Sequence, residues 1–219
     1  MKLLKTYCGK EWHPLIDLHR ETIYLTKKSA LFNYGDPVKG IYLIRKGQMK
    51  IMSGGPGEKE RIIRLANDNM IVGHRGLHAE SYYIRAVALQ DTELEFLPTG
   101  IFKSIVAANN KLSGYLIDFL TDELQDAEER MKNLMIGDPK VRIAILLMKL
   151  VERFGYRKTE KQKLSFQLSR QDIANMAGTT YETVIRSLSH FEKSGWIAFD
   201  GKEILVRKEE ALRTLAQSS

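Results

Sequence analysis

Cysteine is almost missing from this chain: Cys8 is the one thiol in 219 residues. A lone thiol excludes an internal disulfide, a four-cysteine zinc site and a thiolate-held iron–sulfur cluster. It fits a reducing cytoplasm, where thiols stay free. No apolar run approaches the roughly 18 residues of a membrane-spanning helix, so no membrane partner is expected. The opening residues, MKLLKTYCGKEWHPL, lack the apolar core of a secretory signal. A phosphate-binding P-loop, a nucleophile elbow, a paired-histidine metal motif and a dinucleotide fingerprint are also lacking. The spacing of Ser, His and Asp suggests no triad. The chain is therefore not expected to be an enzyme.

What is present is globular material, 43% hydrophobic and 9% aromatic, enough for a sizeable core. The formal charge of +7 is unevenly placed. Residues 138–219 hold 15 Lys and Arg against 10 Asp and Glu, whereas residues 1–137 hold 19 against 17. Most of the excess thus sits in the last third of the chain, a distribution compatible with a nucleic-acid partner.

From Glu21 to Phe96 the residues alternate apolar and polar in short stretches broken by glycines, as in "SALFNYGDPVKGIYLIRKGQMKIM". Short strands with turns at this spacing predict an antiparallel barrel or roll. Gly54, Gly55, Pro56 and Gly57 mark a hairpin tip. After Pro98 the period changes. Leu112, Leu116, Leu120, Leu124, Ala127, Met131 and Leu134 recur every three or four residues along a helix of about 108–135, with acids on its other face. That pattern is close to a coiled-coil seam. Such a helix spans about 40 Å, which suits a dimer helix. The alternative is a helix packed on its own domain alone. "IGDP" at 136–139 ends it, and Asp138 can cap a new helix with Pro139 at its first position. The expected division is a sensor domain at 1–107, a dimer helix and hinge at 108–137, and a final domain at 138–219.

In that last domain, Ser169 can cap a helix at 170–176. "AGTT" then makes a tight turn with Gly178, and Thr180 can cap a second helix at 181–193. "FDGKEILV" reads as a hairpin turning at Asp200-Gly201. Helix, glycine turn, helix and hairpin describe a winged helix-turn-helix. Its second helix would read DNA with Tyr181, Glu182, Ile185 and Arg186. Glutamate can accept from cytosine N4, and arginine can grip guanine O6 and N7. The alternative is that Glu182 and Arg186 merely pair along the helix. Ser169, Arg170, Gln171, Thr180, Thr183 and Lys202 are candidate phosphate contacts, which fix register without reading sequence.

The stretches "SRQDIA", "YETVIR" and "HFEKSGWI", with "YLIRKGQMKI" and "DPKVRIAILLMKL", resemble the bacterial CRP/FNR superfamily of transcription regulators over nearly the whole chain. The resemblance implies an α+β protein: an N-terminal double-stranded β-helix (jelly-roll or β-roll), a long dimerisation helix and a C-terminal winged helix-turn-helix. It also implies a homodimer that binds a palindromic promoter site on double-stranded DNA. RNA polymerase is an expected partner, with the basic loop at 157–163 as a contact; the alternative reading of that loop is a solvated charge run. Glu182 and Arg186 match the positions that read a TGA-type core. Tyr181 stands where the cyclic-AMP branch has a second arginine, and Ile185 where the oxygen-sensing branch has a serine.

The resemblance makes "IVGHRGLHAESYYIRAV", residues 71–87, the counterpart of the family's phosphate-binding cassette. Here His74 replaces its glutamate, and Glu80 falls where its arginine would be. Ser81 can fill the serine position, and Ala127 and Glu128 replace an adenine-contacting pair on the long helix. Gly73, Arg75 and Arg85 complete the pocket; Arg75 or Arg85 could supply a cation from another angle, but the expectation is a pocket that has lost the chemistry of cyclic AMP. A buried phosphate needs a paired cation, and a carboxylate at Glu80 repels it. "GHRG" also resembles a haem-ligating pattern of the carbon-monoxide-sensing members, so an effector-dependent regulator with haem or another small ligand is the alternative. No cofactor is assigned. An ordinary imidazole pKa near 6.5 for His74 and His78 would leave room for a pH response.

Overall fold

The computed structural model describes residues 1–55, 60–157, 159–166 and 168–218. Pro56 and Gly57 of the expected hairpin tip lie outside the described residues. The chain forms two compact units, Met1–Gln125 and Asp126–Ser219, which divide inside one continuous helix.

The first unit begins with helices α1 (Lys2–Tyr7) and α2 (His13–His19). Strands follow: β1 (Glu21–Leu25), β2 (Ala30–Phe32), β3 (Gly40–Lys46), β4 (Gln48–Ser53), β5 (Arg61–Asn67), β6 (Ile71–Val72), β7 (Ile84–Ala88) and β8 (Thr92–Pro98). They form two antiparallel sheets, ordered β1-β8-β3-β6 and β2-β7-β4-β5. This is the expected roll.

Strand β3 shows why the sheets stack. Its side chains alternate between faces, but both faces are covered. Tyr42 and Ile44 join Phe32, Met49, Ile51, Ile84, Ala86 and Leu94, a core drawn from both sheets. Ile41 and Leu43 join Leu4, Ile16, Ile71, Leu97, Phe102 and Ile105 beneath the helices. Gly40 starts this strand because a Cβ there would lie 2.1 Å from the Leu97 carbonyl oxygen.

Helices α3 (Thr99–Ala108) and α4 (Asn110–Leu134) follow, so the long helix begins two residues later than expected. Asn109 breaks it, with an extended backbone. Its side chain donates to the Ile105 carbonyl at 2.7 Å and accepts from the Gly9 amide at 3.0 Å. Helix α4 carries two apolar stripes. At 100° per residue, Leu112, Leu116, Phe119 and Glu123 share one face, and Ile117, Leu120, Leu124 and Met131 share another, about a quarter turn away. Leu112 is corrected here: it is 0% exposed in the core under the helices, with Leu116 packed on it, and cannot belong to an open seam. The exposed stripe instead includes Ile117, which the heptad count passed over, at 65% exposure.

The second unit contains the end of α4 and then α5 (Pro139–Phe154), β9 (Tyr156–Arg157), β10 (Glu160–Leu164), α6 (Arg170–Met176), α7 (Tyr181–Lys193), β11 (Ile197–Asp200), β12 (Glu203–Val206) and α8 (Glu209–Ala216). The strands make one sheet, β11-β12-β10-β9. Asp138 caps α5 through the Lys140 amide at 2.7 Å, with Pro139 in the first turn, as expected. Helices α6 and α7 begin and end at the expected residues. The hairpin turns one residue later than expected. Asp200 pairs with Glu203, so Gly201 and Lys202 form the tip, and Gly201 takes the positive φ (+58°) that a tight reversal requires.

Arg142 of α5 holds the turn between α6 and α7. Its Nε donates to the Ala177 carbonyl (2.7 Å) and its Nη2 to that of Gly178 (3.2 Å). Its Nη1 donates to the carbonyls of Ile136 and Gly137, in the segment after α4. Gly178 itself sits at φ +60°, and a Cβ there would meet Leu134 at 2.6 Å. Replacing Arg142 by Met keeps the aliphatic stem and strands these carbonyls. The expected loss is about 2–3 kcal/mol, since hydrogen bonds to charged groups are the stronger kind. Urea unfolding measures it, and an unchanged midpoint would show the clamp to be idle.

Candidate nucleic-acid interface

Helix α7 is sharply two-sided. Val184, Ser187, Leu188 and Phe191 are buried. Tyr181, Glu182, Ile185 and Arg186 all face solvent, with Tyr181 46% and Ile185 38% exposed. The helix start is fixed by Thr180, whose hydroxyl accepts from the Thr183 amide at 3.2 Å. Among the described residues no ion pair joins Glu182 to Arg186. Arg186 lies instead beside the Thr183 hydroxyl at 3.4 Å. The intrahelical pairing that competed with base reading is thus not made.

The flanking polar residues fall into two groups. Gln171 and Lys202 are exposed, and Lys202 stands at the hairpin tip. The Ser169 and Thr180 hydroxyls serve as helix caps. Ser169 forms a capping box with Asp172, accepting from its amide at 3.1 Å and donating to its carboxylate at 2.7 Å. The Thr183 hydroxyl sits 3.0 Å from that of Thr180. Arg170 is turned inward. Its guanidinium lies 4.5 Å above the Phe199 ring and donates to the Lys202 carbonyl at 3.2 Å, so it supports the hairpin.

In the basic loop at 157–163 two cations are engaged by acids, Lys161 is exposed, and Lys158 lies outside the described residues. Lys163 is buried against Glu160, Asp200 and Glu203 at 2.7, 2.7 and 2.6 Å. Arg157 also pairs with Glu203.

In the first unit, Gly73 (φ +90°) leads into a short turn at His74–Gly76. Glu80 and Ser81 are exposed, and Arg85 pairs with Glu60 at 3.3 Å. Ala127 and Glu128 belong to the second unit. Besides Leu112, α4 buries Glu123 in the first unit, 6% exposed, a residue that no local sequence pattern marks. Arg64 Nε donates to one carboxylate oxygen at 2.7 Å, and Arg75 Nη2 donates to the other at 3.0 Å. Burial pushes the Glu123 carboxyl up, but the Arg64 and Arg75 guanidiniums outweigh it and hold its pKa below the usual range.

The His74 ring meets Phe119 edge-on, centroids 4.9 Å apart, beside this cluster. Burial, reinforced by Arg64, lowers its pKa from 6.5 to about 3. The expected pH response near neutrality is corrected for His74: its imidazole stays neutral there. Among the described residues its Nδ1 is buried with no hydrogen-bond partner, and Arg64, Arg75 and Glu123 are the charged groups that act on the ring.

A helix-turn-helix with a winged hairpin in one unit and an antiparallel roll in the other are the parts of a DNA-binding regulator with a ligand-domain fold. The comparisons agree. Residues 22–109 match the cyclic nucleotide-binding domain family, and residues 141–215 match the Crp-like helix-turn-helix domain family. The chain is 29% identical over 213 residues to Electron transport regulator A of Shewanella oneidensis, covering 96% of this chain and 84% of that one. It is 29% identical over 192 residues to transcriptional activator protein anr of Pseudomonas aeruginosa, covering 88% and 79%. The solved structure of FixK2 from Bradyrhizobium japonicum shares the fold, with a TM-score of 0.81, 20% identity and coverage of 91% and 98%. The chain belongs to the CRP/FNR superfamily of transcription regulators.

The His74 environment yields a pH prediction. Its folded pKa lies below the unfolded value, so between about pH 3 and 6.5 the unfolded chain binds a proton that the folded chain refuses. Stability falls as pH falls through that window. Between pH 7 and 4.5 this histidine accounts for a loss of about 2–3 kcal/mol. The His74→Gln variant should lose correspondingly less over the same range in urea titrations. Equal losses in both proteins would place the proton elsewhere.

Proposed function

We propose that this regulator binds a palindromic promoter site as a homodimer and needs no cyclic AMP to do so. The observation that carries the reading is the four-residue surface at the start of α7, solvent-facing and free of a Glu182–Arg186 pair. Arg186 is assigned to guanine and Glu182 to cytosine within a TGA-type half-site. Tyr181 and Ile185 border them and set the outer bases. Gln171, Lys202 and the helix-start residues Ser169, Thr180 and Thr183 meet phosphate. Arg170 acts through the hairpin that it supports.

The second copy is assigned to the exposed stripe of α4. Ile117, Leu120, Leu124 and Met131 follow the spacing of a coiled-coil seam, and each is more than half exposed in the single chain. A contiguous apolar stripe left in water marks an interaction surface. Independence from cyclic AMP is supported by the state of the nearby charges. Glu80 is an exposed anion where the phosphate needs a cation, Arg85 is engaged by Glu60, and Arg64 and Arg75 are engaged by Glu123. The buried thiol of Cys8 is in keeping with work in the cytoplasm.

The reading is tested by titrating ligand-free protein into a labelled palindrome with TGA-type half-sites, with a scrambled duplex as control, at one fixed salt concentration. Specific binding is expected, unchanged by excess cyclic AMP. Binding that appears only with the nucleotide would overturn the second half of the proposal. Arg186→Ala should weaken the specific complex by about 1–3 kcal/mol and relax preference at one base pair. Wild-type affinity for both duplexes would remove α7 from the base-reading role. Leu124→Asp should shift the protein from dimer to monomer in sedimentation. A mutant that stays dimeric would move the seam off α4.

A further inference from the structure

Arg64 and Arg75 come from different elements, strand β5 and the turn after β6, and both aim N–H donors at the Glu123 carboxylate. Arg64 is 3% exposed and is itself held in place, since its Nη1 donates to the Ile71 carbonyl at 2.7 Å and its guanidinium lies 5.6 Å from the Phe119 ring centre. Two guanidiniums converging on one point are the chemistry that recognises a carboxylate or another oxyanion. Without an anion between them, the buried Arg64 charge would face the half-buried Arg75 guanidinium at high cost. The centre therefore requires a carboxylate, and the chain supplies its own.

We infer that the β domain contains an oxyanion site formed by Arg64 and Arg75, and that Glu123 of α4 is its permanent ligand. This rests on the reading that no cyclic nucleotide is needed, and it names the reason. The anion that a diffusible effector would bring is already fixed to the helix. The same contact sets the rotation of α4. With Glu123 turned into the domain, Ile117, Leu120 and Leu124 must face out, about a quarter turn around.

The test removes the carboxylate and offers another from solution. In full-length Glu123→Ala, the melting temperature should fall by roughly 10 °C, the scale expected for one broken buried ion pair. Amide exchange should quicken in segments 61–75 and 112–124. Sodium formate at roughly tens of millimolar should restore both, while sodium chloride at equal ionic strength should not. Affinity for the palindrome should drop about tenfold or more and return with formate. Glu123→Gln, which fills the space without the charge, should be destabilised and not rescued.

Wild-type melting and exchange in Glu123→Ala would overturn the inference, and so would equal rescue by chloride. If Glu123→Ala does not fold, a cycle of Glu123→Gln, Arg75→Gln and the double variant decides. Coupled losses support the site, and additive losses refute it. The melting and exchange arms use no DNA. Failure of the wild-type protein to bind the palindrome would therefore sink the DNA reading and leave this one standing.

Discussion

Helix α4 has two apolar faces, and its own chain covers one of them. The inward face is fixed by Leu112 and Leu116 in the helix–sheet core and by the Glu123 carboxylate between two arginines. Once that face is placed, helical geometry leaves no freedom for the other, so Ile117, Leu120 and Leu124 must lie along a single outward line. A hydrophobic contact alone tolerates sliding and rotation of one smooth surface on another. A bidentate ion pair does not, because each oxygen has its own donor. The polar contact is what gives the helix a unique rotation, and the apolar contacts give it most of its stability.

Much of the positive charge in the second unit is structural. The sequence shows a basic final third, which invites the view that its cations meet DNA. In the structure many are already engaged. Arg142 caps the turn before α7, Arg157 and Lys163 tie the small sheet together, Arg170 lies on Phe199, and Arg213 pairs with Glu152 and Glu209. What remains at the reading surface is narrower: Arg186, Lys202 and the polar start of α7. Net charge thus bears on the partner class and the long-range attraction, while the proposed base-reading surface is confined to a few solvent-facing side chains that no ion pair engages among the described residues.

The contrast between what could and could not be read from the sequence follows the range of the interactions. Helix boundaries in the second unit were legible because their signals are local. Asp138 with Pro139, Ser169 with Asp172, and Thr180 with Thr183 each close a cap within three residues. The hairpin turns one residue later than its sequence suggests, because Asp-Gly and Gly-Lys are both acceptable turn pairs and only the Asp200–Glu203 register decides. The strands of the first unit were legible as strands, but not the double burial of β3, which depends on helices distant in sequence. Leu112 fitted the seam by spacing alone. Its true partners, Leu4, Ile16 and Phe102, are invisible to a heptad count. The cluster of Arg64, Arg75 and Glu123 joins residues 48 and 59 positions apart. A lone glutamate on an acidic helix gives no sign that it is the one turned inward.

The same distinction bears on how the reading helix is held. A base-edge contact depends on hydrogen-bond geometry that weakens steeply with misalignment, so α7 must be oriented by something stiffer than its own amphipathic packing. The structure provides that at the start and beneath. Thr180 fixes the first turn, Arg142 binds the carbonyls of the preceding turn, and Val184, Leu188 and Phe191 seat the buried face, with Phe191 stacked on Trp196 at 5.5 Å. None of these residues needs to touch DNA for its loss to blur the reading. Under the proposed base-reading role, specificity rests on two layers: four exposed side chains that would carry the chemical information, and a set of buried contacts that keep those side chains in one place long enough for it to be read.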